Sequence, residues 1–177
     1  VSWCNLSRAP FRVHHLTQAR VFDTVHLPEV LGTAPLLTVP VMKTHAKCRV
    51  TGALKNQWGL LPTDRHRHHP RLDDALADLY RLAPPQLCLL DTTTCMEGNG
   101  PKSGRPRRLD HVFAARDAFM LDWYTTRLMG FDPQDVPYLT KIRDQLGIDT
   151  PEPLLRGTPP TVAPFLEARP NLVSLVE

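Results

Sequence analysis

Clustered cysteines are missing from this chain. The four cysteines stand at 4, 48, 88 and 95, and none forms a CxxC pair. No pair repeats a metal-ligand spacing, and Cys88–Cys95 is too wide for a zinc knuckle. The pattern fits isolated thiols in a reducing cytoplasm, and no metal site is expected. Long apolar runs are missing too. None approaches the ~20 residues of a membrane helix, so no membrane partner is expected. The start of the chain lacks a basic region followed by an apolar one, so it does not read as a signal peptide. Negative charge is missing from one stretch. KTHAKCRVTGALKN, from Lys43 to Asn56, carries four Lys/Arg and one His but no Asp or Glu. It directly follows the apolar run PLLTVPVM, Pro35 to Met42. An anion, an acidic partner from elsewhere in the fold, or solvent must face those cations.

The 177 residues suit a single domain able to bury its own core. Hydrophobic residues make up 42% and charged residues 22%, as in ordinary globular proteins. The net charge of +3 is mild. The basic runs have no interleaved aromatics, so nucleic acid is not an expected partner. Proline is abundant, at 18 residues against 9 glycines. Much of it lies after Thr150, as PEP, TPP, AP and RP. We therefore read residues 1–150 as one α/β domain and 151–177 as a Pro-rich extended tail.

Along the chain, residues 11–27 hold two short β-like runs, and Pro28 to Gly32 one helical turn. LLTVPVM, 36–42, has the length and branching of a central strand, although Pro40 cannot donate to a ladder. Residues 49–61 predict a short helix capped by Thr51, with Leu54, Trp58 and Leu61 at helical spacing. TDRHRHHPR, 63–71, reads as a polar loop, and its histidines as solvated. LDDALADLYRLA, 72–83, aligns Leu72, Leu76, Leu79 and Leu82 in one stripe and predicts a helix. QLCLLD, 86–91, predicts a second strand, 97–106 a Gly- and Pro-punctuated loop, and HVFAA, 111–115, a third strand. Helices are expected from Asp117 to Met129, stopped by Gly130, and from about Val136 to Leu146, stopped by Gly147. The order implies a mixed, mostly parallel sheet with helices packed on its faces.

Ligands in such sheets sit past the carboxyl ends of the strands. Three polar stretches follow the three apolar runs: Lys43–Asn56, Asp91–Gly104 and Asp117–Asp122. Lys43, His45, Lys47, Lys55 and Asn56 are donors suited to a carboxylate or phosphate; the bland alternative, a solvated loop, is the expected reading for Lys47 and Arg49. Asp91 ends the second strand, a common contact position. Gly98 and Gly100 would let backbone approach a ligand closely, or simply serve a wide turn whose Asn99 tolerates left-handed geometry. Neither a Walker loop nor a dinucleotide fingerprint is present. Asp117 suits an N-cap. Asp122 lies in the apolar setting AFMLDWY and needs a partner, for which Lys43 or Lys55 is expected.

Three segments, VPVMKTHAKCRVTGALKNQWGLLP, MEGNGPKSG and RDAFMLDWYTTRLMGF, resemble the family called domain of unknown function 362. The resemblance covers about residues 20–148. It marks Lys43, Thr44, His45, Thr51, Gly52, Lys55, Asn56, Glu97, Gly98, Asn99, Gly100, Pro101, Asp117 and Asp122 as matched positions. The resemblance names no reaction and no cofactor. It also implies a further βα portion before the K-T-H strand, so this chain is expected to be a shortened member. Some members carry a cysteine-rich ferredoxin-like segment, which this sequence does not contain. The expectation is a protein that binds or acts on a small anionic molecule. Lys43, His45 and Lys55 would exchange protons, and Thr44, Thr51, Asn56, Gly98, Asn99, Gly100, Asp91 and Asp122 would line the substrate. The alternatives are an iron–sulfur or redox accessory protein and a nucleic-acid-binding module. The oligomeric state is left open.

Overall fold

Residues 2–148 and 155–168 are described by a computed structural model. Two strands, β1 (Phe11–His15) and β2 (Thr24–Pro28), form an antiparallel hairpin. A single 3-10 turn follows at Glu29–Gly32, where the sequence suggested one. The main sheet is mixed and has six strands. Its centre is β6 (Leu87–Asn99), which pairs in parallel with β3 (Leu37–Thr38) and β4 (Val41–His45). The antiparallel partners are β5 (Arg49–Thr51) on β4, and β7 (Ser103–Arg108) and β8 (Val112–Ala115) on β6. Four helices pack with this sheet: α1 (Ala53–Asn56), α2 (Leu72–Leu82), α3 (Ala118–Leu128) and α4 (Pro137–Leu146). The architecture is α/β.

The run 36–42 is not one strand. It breaks into β3 and β4 at Pro40, whose missing N–H interrupts the ladder while its carbonyl still accepts from the Asp91 N–H at 2.8 Å. β4 then continues through Lys43, Thr44 and His45, so these residues belong to a strand rather than to a basic loop. The expected 49–61 helix is also shorter. Arg49–Thr51 pairs back onto β4, α1 lasts one turn, and a 3-10 turn carries Gln57–Leu60. The expected 97–106 loop is largely a hairpin, because β6 runs to Asn99 and pairs with β7 from Ser103. Asp91 is accordingly mid-strand. TDRHRHHPR is wound into 3-10 turns.

The helices follow their sequence signals more closely. Leu72, Leu76 and Leu79 of α2 are buried as the leucine stripe predicts. Asp117 caps α3 by accepting the Met120 N–H at 2.9 Å. Gly147 ends α4 in the left-handed region, at φ 65°. Asp78 is fully buried on α2, yet it is satisfied, accepting the N–H groups of Arg20 (3.0 Å), Val21 (2.6 Å) and Phe22 (3.0 Å). This ties the hairpin connection to the helical layer.

Residues 155–168 contain neither helix nor strand. Even so, Phe165 joins the core, and its N–H donates to the Met129 carbonyl at 2.8 Å. The Leu166 carbonyl accepts the Gly98 N–H at 2.7 Å. The boundary expected at residue 150 and the end of the Pro-rich tail lie outside the described residues.

Candidate functional site

Side chains alternate across a strand. In β4, Met42 and Thr44 turn into the core, which leaves Val41, Lys43 and His45 on the opposite face. Those three residues form one wall of a cavity of about 310 Å³. Lys55 and Asn56 of α1, Trp58 and Arg65 from the 3-10 turns, Thr51, and Pro101 at the hairpin tip complete it. The lining contains two lysines, an arginine and a histidine, and no carboxylate.

Two glycines bring these pieces together. A side-chain carbon at Gly52 would collide with the Asp122 carboxyl group, lying 2.7 Å from its Cγ. One at Gly100 would collide with the Thr44 backbone, 2.7 Å from the carbonyl carbon. The hairpin tip therefore closes directly onto the K-T-H strand. Thr44 is buried and donates its hydroxyl to the Gly98 carbonyl at 2.8 Å, while the Ala46 N–H donates to the Gly100 carbonyl at 3.1 Å.

Several expected ligand contacts are occupied by the protein itself. The Gly98 N–H goes to Leu166, and the Gly100 N–H goes to the Gly98 carbonyl at 2.7 Å, so neither amide is open to an anion. Thr51 donates to the Lys43 carbonyl at 3.2 Å and does not cap a helix. Asn56 reaches the cavity but donates its side-chain N–H to Thr38 Oγ1 at 2.8 Å. Asn99 is exposed and outside the lining. Asp91 is also outside it, its carboxylate accepting from the N–H and hydroxyl of Thr93 at 2.8 and 2.7 Å.

Asp122 corrects a sharper expectation. Its partner is not a lysine. Its two carboxylate oxygens accept the N–H groups of Ala53 at 2.7 Å and Leu54 at 2.9 Å, at the start of α1. Burial pushes this carboxyl up to about 7, while the two N–H bonds pull it back down. The acidic partners of the basic stretch go elsewhere: Arg49 pairs with Asp135 at 3.1 Å and Glu167 at 2.8 Å. Lys43 and Lys55 have no carboxylate partner among the described residues.

Lys55 is half-buried, and its amine lies 5.5 Å from the centroid of the Trp58 ring. Burial lowers its pKa; Cys48 opposes that shift, while Lys43 and Arg65 add to it. His45 is depressed to about 4, first by burial and then by Lys55, Lys43, His69 and Lys47. Its Nδ1 accepts the Lys47 N–H at 3.0 Å and the Cys48 N–H at 3.4 Å. Burial pushes the neighbouring Cys48 thiol up to about 12, away from nucleophilic use.

Three of these residues are not singled out by sequence. Arg65 looks like any cation of TDRHRHHPR, yet it donates to the Leu61 carbonyl at 3.1 Å and enters the lining. His69 stacks on Trp58, with ring centroids 5.5 Å apart. Trp58 reads as core by its spacing, and it is both core and cavity wall. The helical recurrence of Leu54, Trp58 and Leu61 was the available signal for Trp58. Only chain packing selects Arg65 over Arg67.

A family model described as Domain of unknown function (DUF362) matches residues 1–127. Among curated proteins, the thylakoid-associated protein sll1697 of Synechocystis sp. is 27% identical over 144 residues. That alignment covers 76% of this chain but 44% of the relative, so the chain spans less than half of the length of the protein it matches. No solved structure matches.

Proposed function

The chain belongs to the DUF362 family, and on that premise we propose that its cavity binds a small anion, a carboxylate or a phosphate, and acts on it by acid–base chemistry. The observation that carries this reading is the lining: Lys43, Lys55, Arg65 and His45 around about 310 Å³, with no carboxylate. Gathering unpaired cations costs free energy through mutual repulsion and partial desolvation. A bound anion would offset that cost. Lys43 and Arg65 suit the anionic group. Lys55, whose amine pKa is lowered by burial, is the group assigned to proton exchange. Thr44, Thr51, Gly98 and Gly100 support the cavity as framework, and Asp122 holds the start of α1.

Calorimetric titration with inorganic sulfate, phosphate and malonate tests this reading. At least one should bind, more weakly as salt rises. Lys55→Met should weaken that binding roughly tenfold, about 1.4 kcal/mol, at an unchanged melting temperature. Asn99→Ala, outside the lining, should not weaken it. Untouched binding in Lys55→Met would remove the cavity from consideration. For location we propose the cytoplasm, supported by buried, unpaired Cys48, Cys88 and Cys95. No helix among the described residues is long and apolar enough to cross a membrane. Thylakoid association is named for the relative, and recovery of this chain in a membrane fraction would overturn the proposed location.

A further inference from the structure

We infer that His45 serves the cavity as a neutral hydrogen-bond donor of fixed tautomer, presenting Nε2–H to an unprotonated ligand oxygen, and leaves proton transfer to Lys55. The inference rests on the anion-cavity reading and assigns separate work to two residues that the sequence groups together.

The geometry starts at Nδ1. Two backbone N–H groups, from Lys47 at 3.0 Å and Cys48 at 3.4 Å, point at that nitrogen. Both are obligate donors, so Nδ1 must offer its lone pair. A neutral imidazole carries one proton, which is then on Nε2. Nε2 has no protein partner among the described residues, and His45 lines the cavity. A second proton would have to go to Nδ1, against the two N–H groups already there.

The surroundings also oppose a second proton. Lys43 lies on the same strand, Lys47 on the following turn, Lys55 on α1 and His69 on the 3-10 segment, and each of them disfavours an imidazolium. The Cys48 thiol, 3.4 Å from Nδ1, stays protonated and supplies no balancing negative charge. No acidic residue lines the cavity.

A ring in this state cannot take a proton from a ligand through Nδ1, and through Nε2 it can only donate a hydrogen bond. The ligand atom at His45 is therefore a carboxylate, phosphate or carbonyl oxygen. A hydroxyl proton awaiting removal does not fit there. Lys55 remains as the cavity group that exchanges protons: burial lowers the pKa of its amine, and the unprotonated fraction of that amine takes the proton and becomes an ammonium. Negative charge developing on the ligand oxygen would strengthen the Nε2–H bond, so His45 acts as a preorganised electrophilic donor.

Two measurements on the chain as it stands test this. Long-range proton–nitrogen NMR spectra from pH 5 to 8, with His45 assigned by its loss in His45→Gln, should give an unprotonated Nδ1 and a protonated Nε2. Neither should titrate in that range. A protonated Nδ1, or a His45 midpoint between pH 6 and 7, overturns the inference even if the anion reading stands. Inorganic sulfate, which stays a dianion throughout this range, is the binding probe. His45→Gln keeps an N–H donor in the position of Nε2 and should bind sulfate within about threefold of wild type. His45→Ala should lose roughly tenfold, matching the loss of one charge-assisted hydrogen bond. Equal loss in both variants overturns the donor role. Absence of sulfate, phosphate and malonate binding in the unaltered chain overturns the cavity reading itself, a result the NMR measurement does not share.

Discussion

The carboxylate of Asp122 accepts the backbone N–H of Ala53 at 2.7 Å, across 69 residues of sequence. With Leu54 it satisfies the first two donors of α1, groups that a helix of one turn cannot satisfy internally. The carboxylate rests in the space left by Gly52. Helix α1 carries Lys55 and Asn56, so this contact also sets one wall of the cavity.

Asp122→Ala should destabilise the protein by about 2–4 kcal/mol, because two buried N–H groups lose their acceptor. Gly52→Ala should cost a similar amount in the wild type, since its methyl group needs the carboxylate's place. In the Asp122→Ala background the same glycine change should cost markedly less. Urea unfolding of all four proteins measures this coupling. Strict additivity would mean that the two residues do not share one site.

Stability should carry two opposing pH dependences. The Asp122 carboxyl is raised in the folded state from 3.8 to about 7. Its stabilising contribution is complete below about pH 4 and is lost as pH rises through 7. His45 is lowered from 6.5 to about 4. Its contribution is present above pH 6.5 and is lost as pH falls through 4. The stability difference between wild type and Asp122→Asn should therefore shrink from pH 5 to 8. The difference between wild type and His45→Gln should grow from pH 4 to 6.5. Denaturant melts at these pH values give both signs, and a reversed slope contradicts the corresponding assignment.

Thr44→Val should lose about 1 kcal/mol by removing the 2.8 Å hydroxyl donor of the Gly98 carbonyl, which keeps the Gly100 N–H. Thr44→Ser, which keeps the hydroxyl, should recover most of that loss. Sulfate affinity should follow the same order, because this bond seats the hairpin whose tip supplies Pro101 to the cavity. Equal affinity in Thr44→Val and the wild type would mean that Pro101 is held by other contacts.

Phe165→Ala should cost about 3 kcal/mol, as expected for a buried aromatic ring. The Arg107 guanidinium lies 4.6 Å from the centre of that ring and donates to the Ala163 carbonyl at 2.6 Å. Arg107→Ala should therefore couple to the Phe165 change in a double-mutant cycle. A loss well under 1 kcal/mol for Phe165→Ala would show that the tail segment adds little to the core.

The long helices could be read from sequence because their signals are local. The leucine stripe of α2, the Asp117 cap of α3 and the Gly147 stop of α4 each act within a few residues. The K-T-H and T-G-x-x-K-N motifs likewise pointed to Lys43, His45 and Lys55, which line one cavity. The strands were less legible. Whether Lys43–His45 and Glu97–Asn99 are strand or loop depends on the partners β5 and β7, which a single run of residues does not reveal.

Sequence alone determined the chemistry available: a cation-rich stretch without acid, an apolar run before it, and a carboxylate set among apolar residues. Tertiary structure decided how each group is used. It gave Asp122 to the N–H groups of α1 instead of to a lysine, because a helix start with unsatisfied donors lay against it. It closed the Gly98 and Gly100 amides with carbonyls of the chain itself, and it brought Arg65 and Trp58 into the lining. It also aimed the N–H groups of Lys47 and Cys48 at Nδ1 of His45. Hydrogen bonds depend on distance and direction in space, and residue spacing along the chain specifies neither for groups far apart in sequence.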